Sequence, residues 1–228
     1  MNKFTSKLRL IYFDMPGRAE GIRLALHYGK IPFEDVRLSR ADFSQKATQG
    51  TFAFDQLPAL EIPDKQVTLY QSAAILRYVG IHSGLYPKND LELAALIDAL
   101  VDQHNDMLIG INASRFPHRV GFNTVTKEQI LASRKELTEK ILPKHFRYFD
   151  SFLKRSKTGW LASTPNPTTA DFALVPRLSI FAVPNLYEGI SHQMLDEFPL
   201  LQSYMSRFYQ IPEVKDYYEK NPFNPSKQ

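Results

Sequence analysis

The 228-residue chain has no cysteine. That absence excludes a disulfide framework, thiolate zinc and iron–sulfur sites, and a protein thiol acting as nucleophile or redox pair. Any sulfur chemistry has to arrive with a ligand. A long apolar run is also missing. The start, MNKFTSKLRLIYFDMPGR, carries charges within its first nine positions, and the apolar stretch Leu8 to Phe13 is short. Neither a secretory nor a membrane-spanning segment is visible, so a cytoplasmic protein that does not enter membranes is expected. Strong charge imbalance is absent as well, with 28 Lys and Arg against 24 Asp and Glu and a net charge of +4. Residues 1–86 hold 11 basic and 8 acidic side chains and residues 87–228 hold 17 and 16, with the signs interspersed, so no nucleic-acid patch is expected.

What is present can build a core. With 43% hydrophobic and 12% aromatic residues the chain is globular and neither disordered, collagen-like nor coiled-coil. Its length allows one large domain or two modest ones of roughly 100 to 150 residues.

Leu8 to Phe13 reads as a strand stopped by the turn Asp14-Met15-Pro16-Gly17, and Arg18 to Tyr28 reads as a helix ending at Gly29. A strand from Phe33 to Leu38 completes a β-α-β unit with a parallel pair. Pro58 to Ile62 and Gln66 to Tyr70 form a hairpin around Pro63-Asp64-Lys65, and a helix runs from Ser72 to His82. Together these make a four-stranded α/β domain, residues 1–86. From residue 87 to 228 the strand signal vanishes. Leu93, Ile97, Leu100 and Ile111 recur at helical spacing, as do Ile130, Leu137, Ile141 and Phe149, giving two long helices, the second bent near Pro143. Thr168-Thr-Ala-Asp171 is a capping box opening a helix, and helical segments near His192 to Tyr209 and Glu213 to Lys220 complete an all-α domain.

Three places in the first domain carry potential chemistry. Tyr12 closes the first strand beside a helix N-terminus that favours an anion; it is either a core aromatic or a hydroxyl aimed at a ligand. Pro58 opens a strand, either as a trans turn proline or, if the Leu57-Pro58 bond is cis, as the edge that presents the Leu57 backbone to a peptide-like ligand. Gln71-Ser72 sits where strand runs into helix, either an ordinary N-cap or a pocket for a carboxylate. In the second domain Asp98, Asp102 and Asp106 share one helix face, whose default reading is a solvated acidic surface, and His104 lies on the opposite, apolar side.

The stretches LRLIYFDMPGRAEGIRLAL, FDQLPALEI, LYQSAAILRYVG and PTTADFAL, in that order along the chain, resemble the cytosolic glutathione transferases of tyrosine type. The YF and GRAE motifs and EDVRLS look most like the sigma class, which includes prostaglandin isomerases and lens crystallins. The resemblance implies a thioredoxin-like N-terminal domain (βαβ-ββα) followed by an all-α domain. It implies glutathione as co-substrate with no metal required, a homodimer, and conjugation of small hydrophobic electrophiles. The alternatives are a glutathione-dependent isomerase of prostaglandin-synthase type, or a weakly active ligand-binding or crystallin-like member.

Carried over residue by residue, the resemblance makes Tyr12 the donor to the glutathione sulfur and Arg18 its electrostatic support. Leu57 holds the cysteinyl backbone, Pro58 is the cis proline, Gln56 is a further glutathione-binding residue, Gln71 and Ser72 grip the γ-glutamyl carboxylate, and Asp106 of the partner subunit meets the amino group. Asp102 and Asp106 also match acidic positions that bind a divalent ion in the prostaglandin isomerase. Sigma-class members usually place Trp where this chain has Phe43, with Lys four residues later, whereas here Lys46 comes three residues on. Phe43 has no indole N–H to donate, so Lys46 is the expected substitute at the glycine carboxylate, and weaker glutathione binding is expected. Phe13, Met15, Leu108, Ile111 and Phe116 are expected to line the electrophile pocket, and Phe54 to anchor the dimer interface.

Overall fold

The structure, a computed structural model, describes residues 4–184 and 186–222. The first half runs β1 (Leu8–Phe13), α1 (Glu20–Tyr28), β2 (Phe33–Leu38), α2 (Arg40–Thr48), β3 (Ala59–Ile62), β4 (Val67–Tyr70) and α3 (Ser72–Ser83). The strands form one sheet in the order β2-β1-β3-β4, with β1 parallel to β2 and both other pairs antiparallel. This is the expected βαβ-ββα arrangement. Leu8, Leu10 and Leu60 are fully buried at its centre, under Ile22, Leu24 and Leu26 of α1 and Ile75 of α3.

One element was not expected. α2 buries none of its side chains, so it has no apolar periodicity to read; what starts it is a capping box between Ser39 and Asp42.

The second half is helical: α4 (Leu91–Arg115), α5 (Lys127–Glu136), α6 (Leu142–Arg155), α7 (Thr169–Phe181), α8 (Pro199–Tyr209) and α9 (Pro212–Lys220). The expected second long helix is α5 and α6 joined by a single wide turn, Leu137–Ile141. That turn packs closely on α4, since a Cβ at Gly110 would collide with Leu137. Pro143 follows that wide turn, so the local change of helical pitch falls where proline cannot donate an i→i−4 bond. The helix expected to start near His192 starts at Pro199 instead.

α7 is the axis of the helical core: Phe172, Leu174, Val175 and Leu178 are fully buried, Phe172 is edge-on to Phe208 of α8 (5.0 Å), and Phe181 is edge-on to Phe146 of α6 (5.8 Å). Its capping box closes as expected. Asp171, fully buried, accepts from the Thr168 backbone N–H (2.6 Å) and hydroxyl (3.0 Å), the Leu161 N–H (3.1 Å) and the Tyr204 hydroxyl (2.7 Å). Trp160, also buried, lies under the Arg207 guanidinium, 4.2 Å from the ring centroid. The halves meet where α1 packs on α7, so tightly at Gly21 that a Cβ there would strike the Phe172 carbonyl oxygen. Among the described residues no helix is long and apolar enough to cross a membrane.

Candidate active site

Between the carboxyl end of β1 and the C-terminal part of α4 lies a cavity of about 350 Å³. Tyr12, Phe13, Met15, Arg18, Phe43, Gln56, Leu57, Pro58, Gln71, Ser72 and Phe116 all line it. Residues up to 104 positions apart in the chain are thereby gathered at one opening.

Tyr12 is 6% exposed, and its hydroxyl oxygen accepts a hydrogen bond of 3.0 Å from the Arg18 backbone N–H. The hydroxyl proton is left to donate elsewhere. Gly17 makes this geometry possible: its φ is +46°, and a Cβ at that position would sit 2.5 Å from the Tyr12 hydroxyl oxygen. The turn is held from behind by Arg23, fully buried, whose Nη1 donates to the Met15 (2.9 Å) and Pro16 (3.1 Å) carbonyls and to Glu20 (3.2 Å). Its Nε lies 3.1 Å from both carboxylate oxygens of Asp35.

The Leu57-Pro58 peptide bond is cis. Leu57 precedes the β3 ladder, whose first paired residue is Ala59. Gln71 stands at φ +67°, a backbone conformation rare outside glycine and concentrated at functional sites. It is the N-cap of α3 yet its side chain caps nothing, and the first turn holds no acid. Ser72 is therefore the first helical residue and not the cap, and the start of α3 offers backbone donors to an anion.

Four expected residues lie away from the cavity. Lys46 is exposed in the last turn of α2 and does not reach its wall. Arg40, the first residue of α2, does line it, with its guanidinium 5.5 Å from the Phe13 ring centroid. Ile111 (1% exposed) is core, and Leu108 (4%) is core that borders only two smaller cavities. Their spacing marks the buried face of α4, and the face that meets the cavity carries Ile109, Asn112, Ala113 and Phe116. Asp106 is exposed on the side of α4 toward His145, whose pKa is lowered by burial with the Asp106 charge opposing. Asp98 is not part of a free acidic face, because it binds Arg77 (2.9 Å) and the Tyr86 hydroxyl (3.0 Å). No group of three or more His, Cys, Asp or Glu placed to hold a metal occurs among the described residues.

Phe43 closes the wall as part of an aromatic row, edge-on to Phe13 (5.2 Å) and stacked on Phe52 (5.7 Å). His104 is packed on the apolar side of α4, as expected. It borders a cavity of about 30 Å³ beneath Arg18 and Ser72, and neither ring nitrogen has a hydrogen-bond partner among the described residues. Burial first, then the nearby Arg177 and Arg18, push its pKa down to about 3, so the ring is neutral.

The family profile for the glutathione S-transferase N-terminal domain matches residues 8–80, and that for the C-terminal domain matches residues 118–221. The chain belongs to the glutathione S-transferases. Glutathione S-transferase 1 of Ascaris suum is 32% identical over 95% of this chain and 98% of its own length. The crystal structure of the glutathione S-transferase from Ascaris lumbricoides superposes with a TM-score of 0.75 at 28% identity, covering 96% of this chain and 100% of that one. Prostaglandin synthase D of Nilaparvata lugens superposes with a TM-score of 0.80 at 24% identity, covering 96% of this chain and 100% of that one, a likeness that shows the fold alone. As a glutathione S-transferase, the protein is an enzyme with a thioredoxin-like domain, an all-helical domain and glutathione as co-substrate.

Proposed function

We propose that this glutathione S-transferase ionises the glutathione thiol with the Tyr12 hydroxyl and conjugates the thiolate to small electrophiles, in the manner of the sigma class. The observation that carries this is the Tyr12 hydroxyl, buried at the cavity with its oxygen already accepting from Arg18 N–H at 3.0 Å and its proton free to donate. A hydrogen bond to the charged form lowers a thiol pKa. From about 8.5, a drop of about two units makes the thiol mostly ionised at neutral pH, a gain near 2.7 kcal/mol for the anion. The sulfur then attacks carbon, the new C–S bond forms as the leaving group departs with its electron pair, and the thiol proton goes to solvent. Arg18 lines the cavity beside Tyr12 and favours the anion.

Residues 1–86 form the glutathione-binding domain in this reading, and residues 87–228 carry the electrophile side. Gln56, Leu57 and Pro58 hold the cysteinyl backbone, while Gln71, Ser72 and the uncapped start of α3 hold the γ-glutamyl carboxylate. Arg40 takes the glycine carboxylate in place of Lys46, and Phe43 gives that end an apolar wall. Phe13, Met15 and Phe116 face the electrophile. The chain pairs as a homodimer through Phe54, which is 57% exposed beside Tyr70, and Asp106 of the partner subunit meets the glutathione amino group.

Tyr12→Phe tests the mechanism. We expect the pKa of bound glutathione, followed by thiolate absorbance, to rise by about two units and kcat/KM for an aryl halide near neutral pH to fall about a hundredfold. A variant as fast as wild type overturns the role of Tyr12. A panel of aryl halides, isothiocyanates, enals and a prostaglandin endoperoxide separates conjugation from isomerisation.

A further inference from the structure

Five arginines line the cavity, Arg18, Arg40, Arg115, Arg119 and Arg177, and no aspartate or glutamate does. Of the eight arginines outside it, four are matched by carboxylates, and Arg134 and Arg207 by backbone carbonyls. Arg9, Arg23, Arg37 and Arg77 each lie within 3.1 Å of a carboxylate. None of the five cavity arginines has an ion pair among the described residues.

Three of them belong to the helical wall. Arg115, at the end of α4, donates to the Tyr187 hydroxyl at 3.0 Å, with its guanidinium 5.3 Å from the Phe116 ring centroid. Arg119 approaches the same ring at 4.9 Å. Arg177 comes from the middle of α7. It is 8% exposed, and its Nε has no hydrogen-bond partner among the described residues. Burial, with repulsion from Arg18 and Arg115, holds its pKa below the ordinary arginine value. A buried guanidinium with an idle donor at a cavity wall is costly unless an anion completes it.

The inference rests on the glutathione reading above, in which the carboxylates and the thiolate are met by Arg40, the start of α3, Tyr12 and Arg18. Arg115, Arg119 and Arg177 are then left over. We infer that they form an oxyanion subsite for the second substrate, which is an amphipathic electrophile: an apolar body against Phe13, Met15 and Phe116, ending in a carboxylate. Guanidinium groups suit this, because they bind carboxylates through two parallel N–H donors.

A matched pair tests it: an ω-isothiocyanato-alkanoate and its methyl ester, in which the distant charge leaves the reacting carbon unchanged. In each, the glutathione sulfur bonds to the central carbon, the C=N electron pair moves to nitrogen, and nitrogen takes a proton from water. With wild-type enzyme we expect kcat/KM for the acid to exceed that for the ester about tenfold, a ratio equivalent to about 1.4 kcal/mol. In Arg119→Ala and Arg177→Met the ratio should fall toward one. A purely structural role would lower both rates together and leave the ratio intact. A wild-type ratio of one, or a ratio untouched by both variants, overturns the subsite.

Calorimetry with two product analogues, S-(carboxyalkyl)glutathione and its methyl ester, gives a reading independent of turnover. Tighter binding of the acid supports the subsite. Equal affinities overturn it while leaving the glutathione site standing, and binding of neither overturns the glutathione reading together with the subsite built on it.

Discussion

Arg23 and Arg177 are both buried arginines, and their surroundings are opposite. Arg23 has Asp35, Glu20 and the Met15 and Pro16 carbonyls around one guanidinium. Arg177 has Arg18 and Arg115 as charged neighbours and an Nε that bonds to nothing described. The first closes the turn that carries Tyr12, and its partners were supplied by the fold. The second borders a cavity with Arg18, Arg115, Tyr12 and Tyr187 near it and no carboxylate in the cavity lining. Burial alone therefore says little about what an arginine is for; the sign of the charges facing it separates scaffold from site.

The largest effect should come from breaking the scaffold side. Arg23→Met removes the ion pair of the buried Glu20 carboxylate and leaves Asp35 to Arg37 alone, and we expect urea unfolding to show a loss of about 3 to 5 kcal/mol. A variant as stable as wild type would erase the contrast. Next is Gly17→Ala, which puts a side chain at φ +46° against the Tyr12 hydroxyl. It should cost about 2 kcal/mol and lower activity through displacement of Tyr12, measured by unfolding and aryl-halide kinetics side by side.

A third effect uses His104, which lies beside the cavity cations. Its pKa is about 3 in the fold against an ordinary 6.5. A depressed value means the stabilisation is fully present above about pH 6.5 and is lost as pH falls toward 3. Each unit in that window should cost up to about 1.4 kcal/mol, and His104→Leu should flatten that part of the stability–pH curve. The smallest change is expected for Arg177→Met, which removes a buried charge without stranding a partner. Its unfolding free energy should stay within about 1 kcal/mol of wild type or rise. A loss like that of Arg23→Met would place Arg177 in the scaffold.

The same distinction explains what could be read from residues in a row. The strands and the cap at Thr168 and Asp171 were legible because each depends on local spacing or turn chemistry, whereas Tyr12, Leu57-Pro58 and Gln71-Ser72 each had a plain structural reading until the resemblance to the glutathione transferases joined them. α2 was missed because none of its side chains is buried, and only Ser39 and Asp42 betray it. Leu108 and Ile111 were misassigned because helical spacing identifies an apolar face without saying whether it meets core or cavity. Lys46 was expected at the cavity but stands in the last turn of α2, whereas Arg40, the first residue of that helix, is the one on the wall. Arg115, Arg119 and Arg177 were invisible as a group, since they come from three segments and what distinguishes them is the lack of an acidic neighbour.

Trp160 is the chain's single tryptophan, and it is buried in the helical core under Arg207, outside the cavity lining. Intrinsic fluorescence excited at the indole is accordingly a report on that core. It should change when the helical domain melts and stay silent when glutathione or an electrophile enters, so one optical signal follows unfolding without interference from ligand.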